Sequence, residues 1–435
     1  MKKASRPNAA TTTASVAGKP PPAMSKKRTS GAPTSVNSLS TDSLSLIFSY
    51  LHLLDVGRCS LVCKYWNSAI IKTKLLQSIL CKKLNAPPSH FETLSTGPGG
   101  SLSASLQELV ADQHRLSLQK GSINVFQWKG HDVRIDQCRI KRGLVLTGVG
   151  DKVMRLWSPE DYNCLEEFDL PDRASLVDFD FDETKVVGLT SSRVCIWRRN
   201  GRRNIFSSNQ GLFPKSLCMR FADPNAVIGC EDGTARVFDM YSKKCSQIIR
   251  MQYGPVSCIS VTDDELIISG STAGTVTLSD LSSDQEVIRL RSPAYGGIRT
   301  LCFNPNSHLL FAGSTAGYVL SWDIRTMKSL WSERVSPNVI YSMNHMRNDN
   351  STLVVGGLDG ILRILNQQTG ELFSSCMMEN TRRSGLATRL PPETRIDQIS
   401  KTSRPTIRCL AVGREKVVTT HNDGYIRIWK FNKLS

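Results

Sequence analysis

The chain lacks any run of apolar residues long enough to cross a bilayer, and its N-terminus lacks the apolar core of a secretory signal peptide. We therefore expect an intracellular protein that is neither secreted nor inserted in a membrane, located in the nucleus, the cytoplasm or both. Acidic residues are also few: 38 Asp and Glu stand against 55 Lys and Arg, for a formal net charge of +17. Such an excess favours contact with acidic partners or polyanions.

Paired cysteines are absent as well. The 13 cysteines are scattered, and most of them lie in strand-like apolar runs, which is typical of small buried residues in a reducing compartment. Cys59 and Cys63 are four residues apart, but no second pair and no suitably placed histidine accompanies them. The sequence therefore predicts no disulfide framework, no metal site and no bound cofactor.

The common signatures of catalysis are missing too. There is no Gly-x-Ser-x-Gly elbow, no P-loop, no His-Glu-x-x-His helix and no dinucleotide fingerprint. The seven histidines are dispersed. Two acidic clusters, at 178–182 and 263–265, fall in predicted strand ends and turns, where carboxylates are usually only solvated. We expect no catalytic residues, and a binding function rather than an enzymatic one.

What the sequence does contain is a repeat. Gly150–Trp157 has the pattern of a tight turn followed by a short strand with apolar residues on both faces, which must lie between neighbouring strands. The position of Trp157 recurs at intervals of 40, 41, 41, 43, 43 and 64 residues. A period of ~40–45 residues is typical of a β-propeller with four strands per blade, so the sequence predicts a mainly β fold with seven blades. The marker positions are Trp157, Trp197, Phe238, Ser279, Trp322, Leu365 and Trp429.

The repeat resembles the WD-repeat family over about residues 122–433, although its motif is degenerate. A Gly-His pair opens only the first copy, and a Trp-Asp pair closes only the copy at 322–323. In the family, that His, a strand hydroxyl, the turn Asp and the Trp form a hydrogen-bonded chain within a blade. The resemblance implies this chain for the first blade alone, so we expect the other blades to rely on apolar packing. The residues that mark the repeat are His131, Asp151, Trp157, Asp232, Trp322, Asp359, Asp423 and Trp429.

Residues 1–37 form a basic tail with seven Lys or Arg, no acidic residue and almost no large apolar residue. Such a segment cannot bury enough apolar surface to offset its chain entropy, and we expect it to be disordered. The run at 26–28 is either a nuclear-import address or part of a solvated, solubilising tail.

Residues 38–84 have the pattern of three short helices. Residues 40–42 can cap the first helix, and apolar residues then follow at helical spacing. A second apolar stripe runs from Val56 to Ile70, and a third runs from Leu75 to Leu84. A bundle of this size has a marginal core and gains stability by docking on a larger partner.

This all-α segment resembles an F-box. Residues 62–66, Val-Cys-Lys-x-Trp, are the most specific part, and residues 47–51 match nearly as well. The chain departs from the family at Ser40, where a Pro is usual, and at Leu76, where a Trp is common. The alternative is a plain three-helix cap whose apolar residues are only core. The resemblance implies binding to a Skp-type adaptor through Leu39, Leu44, Ile47, Phe48, Leu51, Asp55, Val62, Cys63 and Trp66.

Three further segments complete the predicted organisation. Residues 85–121 are a linker with a candidate spacer helix at about 105–118. Residues 122–128 have the pattern of a strand, and we expect this strand to complete the last blade and close the ring, because the chain ends soon after the last marker. The 64-residue step contains a basic insertion, 379–404, predicted to be a mobile loop on the face that bears Asp423.

The candidate target site lies where the first strand of each blade begins. Aligned on a core apolar residue, these strands place Asp136, Val177, Leu217, Ser257, Arg299, Tyr341 and Arg408 at the next position. In F-box/WD-repeat proteins, this position and the residue before the turn Asp commonly supply arginines that grip a phosphorylated degron. Only two arginines match here, and none stands at the second position. The resemblance implies a target site at Arg299, Tyr341 and Arg408, widened by Arg134, Arg173 and Arg404; alternatively, these are ordinary solvated residues.

The two resemblances together imply a non-catalytic substrate receptor of a Skp–cullin–F-box ubiquitin ligase. The helical module would bind the Skp-type adaptor and through it the cullin scaffold, while the propeller holds an unidentified acidic or phosphorylated target protein. One alternative is a nucleic-acid or chromatin scaffold that uses the basic tail and insertion. We rank it lower because the sequence lacks the interleaved aromatic and basic residues of single-strand binders. The other is a general WD-repeat scaffold with no ligase role.

Overall fold

The computed structural model describes residues 36, 39–51, 53–76, 78–79, 102–148, 152–170, 175–191, 193–199, 206–207, 214–282, 285–291, 296–378, 387–391, 394, 398–400 and 404–432. They belong to two compact units, residues 1–100 and 101–435. Asp151, Arg173, nearly all of the predicted tail at 1–37 and the first part of the linker lie outside the described residues.

The first unit contains three short helices: α1 (Thr41–Ser49), α2 (Leu53–Ser60) and α3 (Lys64–Lys72). Ser40 caps α1, since its hydroxyl accepts the backbone N–H of Ser43 at 3.2 Å. A side-chain cap at this position satisfies an N–H that the helix itself leaves unpaired. The ring of Phe48 packs edge-on against Trp66 at 5.1 Å and joins α1 to α3.

The second unit begins with the helix α4 (Leu102–Lys120) and the strand β1 (Ile123–Lys129), and then forms seven antiparallel sheets. Blade 1 contains β2 (Gln137–Lys141), β3 (Leu144–Gly148), β4 (Val153–Trp157) and β5 (Cys164–Asp169). Blade 2 contains β6 (Leu176–Phe181), β7 (Lys185–Thr190), β8 (Val194–Arg198) and β9 (Phe206–Ser207). Blade 3 contains β10 (Ser216–Ala222), β11 (Asn225–Cys230), β12 (Thr234–Asp239) and β13 (Lys244–Arg250).

The remaining four blades repeat the pattern, and the predicted seven-bladed propeller is confirmed. Blade 4 contains β14 (Val256–Val261), β15 (Leu266–Ser271), β16 (Thr275–Asp280) and β17 (Glu286–Arg291). Blade 5 contains β18 (Ile298–Asn304), β19 (Leu309–Ser314), β20 (Tyr318–Asp323) and β21 (Lys328–Arg334). Blade 6 contains β22 (Ile340–Asn344), β23 (Thr352–Gly357), β24 (Leu362–Asn366), β25 (Leu372–Met378) and β26 (Ala387–Leu390). Blade 7 contains β27 (Ile407–Gly413), β28 (Lys416–His421), β29 (Tyr425–Phe431) and β1.

The ring closes through β1. This strand pairs antiparallel with β29 from Ile123 opposite Phe431 to Lys129 opposite Tyr425, and so supplies the outer strand that blade 7 otherwise lacks. The predicted closure by the strand before the first repeat is confirmed. Closure of this kind covers a sheet edge that would otherwise expose unpaired backbone groups.

The helix α4 is part of the propeller unit rather than a free spacer. Its His114 is fully buried, and the imidazole Nδ1 accepts the backbone N–H of Glu415 at 3.0 Å. Leu118 of the same helix lies in an apolar cluster with Val354 and Trp429 of blades 6 and 7. The helix predicted at about 105–118 therefore buries its face against the propeller.

Part of the 379–404 insertion is a strand rather than a loop. Residues 387–390 form β26, which pairs with β25 and gives blade 6 a fifth strand. The Arg389 guanidinium donates to the carbonyl oxygens of Ser117 and Gly121, at 3.3 and 2.9 Å, and ties β26 to the end of α4. The prediction of a mobile loop is therefore wrong for these residues, because β26 completes hydrogen bonds along an open sheet edge.

The blades hold more polar networks than expected. In blade 1, the Trp157 indole donates to the Thr147 hydroxyl at 2.8 Å, and His131 Nε2 lies 3.0 Å from the same oxygen. Blade 7 contains a related chain whose histidine comes from the second strand: the Trp429 indole donates to Thr419 at 2.9 Å, and Thr419 bonds to the imidazole of His421 at 2.8 Å. The expectation that only the first blade has such a chain is wrong.

The turn aspartates carry a second network. Asp359 accepts from Ser336 at 2.8 Å and from Arg363 at 2.6 Å inside blade 6. Asp423 and Asp232 likewise pair with the arginine four residues later, at 2.6 and 3.5 Å. Of the three carboxylates, that of Asp359 is buried, and Arg363 neutralises a charge that would otherwise be costly to desolvate. Among the other marker residues, Trp322 is buried in an apolar cluster of blades 4 and 5.

Two acids of β6 are also structural rather than solvated. Asp178 and Asp180 are buried, and their carboxylates accept the backbone N–H groups of Met219 and Phe221 on the neighbouring blade, at 3.0 and 3.1 Å. Burial alone would raise the pKa of Asp180, but Lys141 and other nearby cations lower it below the usual value. The expectation that this cluster is only solvated is wrong, since the two acids join blades 1, 2 and 3.

Candidate functional site

The helical module presents apolar side chains to solvent. Leu44 and Phe48 point into the module and are buried. On the opposite side of α1, Leu46, Ile47 and Tyr50 are each at least 48% exposed. Positions 46, 47 and 50 share one side of a helix. A small module that leaves such a stripe uncovered has the properties of a protein-binding surface.

The connection between α2 and α3 adds to this surface. Leu61 and Val62 are exposed, and Tyr65 at the start of α3 is partly exposed, with its hydroxyl donating to the carbonyl of Leu39 at 2.6 Å. That bond fixes the chain entering α1 against α3. We call the exposed set the module apolar face; it consists of Leu46, Ile47, Tyr50, Leu51, Leu61, Val62 and Tyr65.

The predicted adaptor-binding residues divide into three groups. Ile47, Leu51 and Val62 are exposed and belong to the module apolar face, whereas Leu39, Asp55, Cys63 and Trp66 are half-buried. Leu44 and Phe48 were also predicted to contact the adaptor, but both are buried core residues. Their side chains support the module from inside. The predicted set omits four exposed apolar residues, Leu46, Tyr50, Leu61 and Tyr65. For Leu46 and Tyr50, the available signal was an apolar side chain on the side of α1 that faces away from its core stripe.

Two half-buried polar positions of the module have internal partners. Asp55 accepts from Arg58 at 2.7 Å within α2. The Cys63 thiol accepts the backbone N–H of Trp66 at 3.5 Å, which makes Cys63 the cap of α3. Both contacts stabilise the helices that carry the module apolar face.

In the propeller, the candidate site is built by β-bulges. In blades 2 to 7, the pairing of the first and second strands shifts by one residue directly after a buried position, for example between Ile340 and Ser342. That position is apolar except in blade 3, where it is Ser216. A bulge leaves one residue outside the ladder and redirects its side chain. The residue skipped in each of these six blades is Val177, Leu217, Ser257, Arg299, Tyr341 or Arg408.

Blade 1 contributes Asp136, which directly precedes β2. We call these seven residues the bulge ring, because consecutive blades bring them together at the end of the propeller where the first strands begin. In blades 2 to 7, the residues that the alignment of the first strands selected are thus the residues that the bulges leave outside the ladder. Each member of the bulge ring occupies the same position in its blade, and members of neighbouring blades can therefore touch.

Three predicted target-site residues are in contact. The guanidinium groups of Arg299 and Arg408 lie 5.9 and 4.7 Å from the centre of the Tyr341 ring. A guanidinium over an aromatic ring is stabilised by the ring's electron density. Arg299 is exposed, while Tyr341 and Arg408 are half-buried. The structure therefore assembles this trio from blades 5, 6 and 7.

Asp136 occupies the next position of the ring. Its carboxylate accepts from both Nε and Nη2 of Arg408 at 2.8 Å, and from Nε of Arg134 at 3.0 Å. By contrast, no acidic group of the described residues lies within 4.0 Å of the Arg299 guanidinium. Arg408 and Arg134 are thus already ion-paired, whereas Arg299 has no acidic partner among the described residues.

The role predicted for Arg404 is wrong. This side chain is buried, and its guanidinium donates to the carbonyl oxygens of Asp359 and Ile399, at 3.1 and 2.8 Å. It therefore fixes the turn of blade 6 against the chain entering blade 7 and has little surface to offer a target. Arg173 lies outside the described residues.

Within the described ranges, no three His, Cys, Asp or Glu side chains are grouped so that they could hold a metal ion. Over the same ranges, the helices are all too short or too polar to span a bilayer. The two candidate binding surfaces of the described residues are the module apolar face and the bulge ring.

The comparisons with known proteins agree with this division. The F-box-like family model matches residues 41–82, and the model of the WD domain, G-beta repeat, matches residues 286–323. The chain is also 28% identical over 129 residues to the ribosome biogenesis protein YTM1 of Scheffersomyces stipitis, which covers 28% of each chain. It is 28% identical over 176 residues to the WD repeat-containing protein 55 homolog of Drosophila melanogaster, which covers 40% of this chain and 34% of that one.

One relative matches along nearly the whole length. An F-box/WD-40 repeat-containing protein of Arabidopsis thaliana is 46% identical over 434 residues, which cover 92% of this chain and 95% of the relative. An alignment that covers 92% of the chain extends into both of its compact units. The chain therefore belongs to the F-box/WD-repeat protein family.

Proposed function

We propose that this chain is the substrate-recognition subunit of a Skp–cullin–F-box ubiquitin ligase. The observation that carries the proposal is the module apolar face, since it lies on the F-box-like segment and contains residues that a free-standing module would bury. A Skp-type adaptor with a complementary apolar groove would cover this surface. The burial of apolar area contributes roughly 25 cal/mol per Å², so a few such side chains supply most of a stable interface.

The propeller would hold the target protein at the bulge ring, through Arg299 and Tyr341 with the paired residues Arg408 and Arg134 beside them. In this arrangement, the chain performs no chemistry. It raises the local concentration of target lysines near the conjugating enzyme that the cullin recruits. The family generally consists of non-catalytic adaptors, and this role fits a chain whose two surfaces suit protein binding. We place the protein in the nucleus or the cytoplasm, where such ligases act.

The proposal is tested by isolating the tagged chain from cells treated with a proteasome inhibitor. The intact chain is compared with the double variant Ile47→Lys, Val62→Lys, which places two charges on the module apolar face. The intact chain should bring down a Skp-type adaptor, a cullin and ubiquitylated targets. The double variant should keep its targets but lose the adaptor, the cullin and the ubiquitylation. A matched control is Ile71→Lys, which changes an exposed isoleucine of α3 outside that face.

A second candidate is a scaffold without a ligase role. The observations that favour it are the formal net charge of +17 and the similarity of part of the chain to a protein named for ribosome biogenesis. Binding to nonspecific RNA and DNA at two salt concentrations tests this candidate, because phosphate contacts weaken steeply as salt rises. Tight, strongly salt-dependent binding, together with no adaptor in the isolated complex, would favour the scaffold.

A further inference from the structure

We propose that the bulge ring recognises an unphosphorylated acidic side chain next to an apolar one, and that Asp136 makes the ring discriminate against phosphate. This inference rests on the proposed function, because it assigns a class of target to the same propeller face. Asp136 is thereby a specificity-determining residue.

That order divides the ring into two halves. Arg299, Tyr341, Arg408 and Asp136 follow one another in blades 5, 6, 7 and 1, and each contacts the next. The other half, in blades 2 to 4, consists of Val177, Leu217 and Ser257, all half-buried.

The uncharged half offers apolar surface rather than hydrogen-bond donors. The Ser257 hydroxyl is already engaged by the carbonyl oxygens of Ile298 and Gly270, at 2.5 and 2.9 Å. Val177 and Leu217 carry no polar group at all. A ligand that spans the ring therefore meets a polar half and an apolar half, and needs one side chain of each kind.

Within the polar half, the charges decide which anion fits. Asp136 accepts from both Arg408 and Arg134, while Arg299 is exposed and without an acidic partner within 4.0 Å among the described residues. The guanidinium whose charge no acidic group offsets is thus the one on Arg299, next to the Tyr341 ring. One arginine can hold a carboxylate with two parallel hydrogen bonds.

A phosphate group places a different demand on the site. It carries about −1.5 to −2 charges at neutral pH and is typically held by more than one arginine. To use Arg408 or Arg134, a phosphate would have to displace Asp136 from them and would then lie beside its negative charge. This repulsion is a form of specificity built against a competing ligand. A single glutamate or aspartate of the target avoids the conflict.

The test uses the intact chain in complex with its Skp-type adaptor and an array of immobilised peptides. Each peptide is printed with Glu, phosphoserine or Ser at one position and Leu or Ala beside it. We expect Glu-Leu peptides to bind about tenfold more strongly than their Ser-Leu or Glu-Ala forms, and phosphoserine forms to bind no more strongly than Glu forms. Arg299→Ala should remove the preference for Glu, and Leu217→Ser should remove the preference for Leu.

Asp136→Asn gives the sharpest outcome. It removes the negative charge and releases two guanidinium groups, so phosphoserine peptides should now bind about tenfold more strongly than to the intact ring. The matched control is Asp161→Asn, which changes an exposed aspartate between β4 and β5, at the opposite end of the strands, and should alter nothing. Stronger binding of phosphoserine peptides to the unmodified chain, no effect of Asp136→Asn, or no peptide binding at all would overturn the inference.

The adaptor provides a separate readout in the same preparation. Co-purification of the adaptor depends on the helical module, and none of the ring substitutions touches that module. An intact adaptor complex with the wrong peptide preference overturns only the assignment of the target class. Failure of the unmodified chain to hold an adaptor overturns the proposed function itself.

Discussion

Ile47 and Phe48 are adjacent in α1 but have opposite environments. Phe48 is 3% exposed and packs edge-on against Trp66 at 5.1 Å, whereas Ile47 is 48% exposed and faces away from the core. Neighbouring positions of one helix thus hold a residue that keeps the module together and a residue whose side chain is exposed for binding. The two roles can be told apart by experiment.

We predict that Ile47→Lys leaves the folding of the helical module unchanged, because the side chain is half exposed and a cation near the end of a helix is tolerated. Phe48→Ala should destabilise the module by about 3–5 kcal/mol, which is the usual cost of removing a buried aromatic ring. A bundle this small has little stability to lose. Limited proteolysis of the full chain, followed by mass spectrometry of cleavage within residues 39–76, measures the difference. Equal protease sensitivity of the two variants would contradict the assignment of core and surface.

A second prediction concerns ring closure. A chain that begins at residue 102 keeps α4 and β1 and should be a folded monomer. A chain that begins at residue 130 lacks the strand that pairs with β29, and its blade 7 has an open edge. We expect the shorter chain to aggregate or to lose its cooperative melting transition. Size-exclusion chromatography and circular dichroism distinguish the outcomes, and equal melting temperatures for the two chains would show that β1 is dispensable.

A third prediction tests the polar chain of blade 7. Thr419→Val removes the hydroxyl between Trp429 and His421 without changing the size of the side chain much, and leaves two buried ring nitrogens without their partner. The cost should be about 1–3 kcal/mol. Thr147→Val in blade 1 should cost about the same, whereas Thr326→Val, at an exposed turn, should cost almost nothing. Melting curves of the three variants provide the comparison, and a neutral Thr419→Val would restore the view that blade 7 depends on apolar packing alone.

The pH dependence of stability should have an acid limb and an alkaline limb. Burial, helped by a nearby arginine in each case, lowers the pKa of His114 to about 4 and that of His421 to about 3. An unfolded histidine titrates near ~6.5. The unfolded chain therefore binds two more protons than the folded one as the pH falls below that value. Stability from these groups is present above pH ~6.5 and is lost on acidification.

The alkaline limb comes from His345. Its Nδ1 and Nε2 lie 2.8 and 3.2 Å from the carbonyl oxygens of Met346 and Phe303, so both nitrogens must donate and the ring is held as a cation. Burial alone would lower the pKa of His345, but Cys302 and these carbonyls raise it to about 9. Its contribution is present below pH ~6.5 and is lost as the pH rises through about 9.

We therefore expect the apparent melting temperature to be highest near pH ~6.5. His345→Gln should lower the melting temperature at the optimum and flatten the alkaline limb, while leaving the acid limb in place. Differential scanning fluorimetry between pH 5 and pH 9 measures both limbs. A melting temperature that does not change over this range would rule out the titration of these three histidines.

Much of the propeller could be predicted because its information is local. The marker position of Trp157 recurs with a nearly constant period, and each copy can be recognised by itself. The closing strand followed from counting strands, since the last blade ends at β29 without an outer partner. The members of the bulge ring were found by aligning each first strand on its buried apolar residue. The bulges themselves depend on strand register, which a single strand does not encode.

The features that escaped prediction depend on contacts between distant segments. Asp178 and Asp180 are bonded to backbone groups 41 residues later, and nothing in β6 indicates which N–H groups the next blade leaves unpaired. His421 lies at the end of β28, the second strand of blade 7. The family's Gly-His pair has a different position in the repeat, so a search for that pair does not find His421. The ion pairs of Asp136 with Arg134 and Arg408 were not predicted either, because Asp136 and Arg408 become neighbours only when the ring closes.

The central claim is that one surface of this chain binds a Skp-type adaptor while the other selects a target. It is tested most directly by mixing the purified full chain with a purified Skp-type adaptor and measuring binding by isothermal titration calorimetry. The account predicts a complex of one adaptor per chain, formed equally well by the intact chain and by Asp136→Asn, and weakened by more than about tenfold in Ile47→Lys, Val62→Lys. No binding to the intact chain, or equal binding by the double variant, would contradict it.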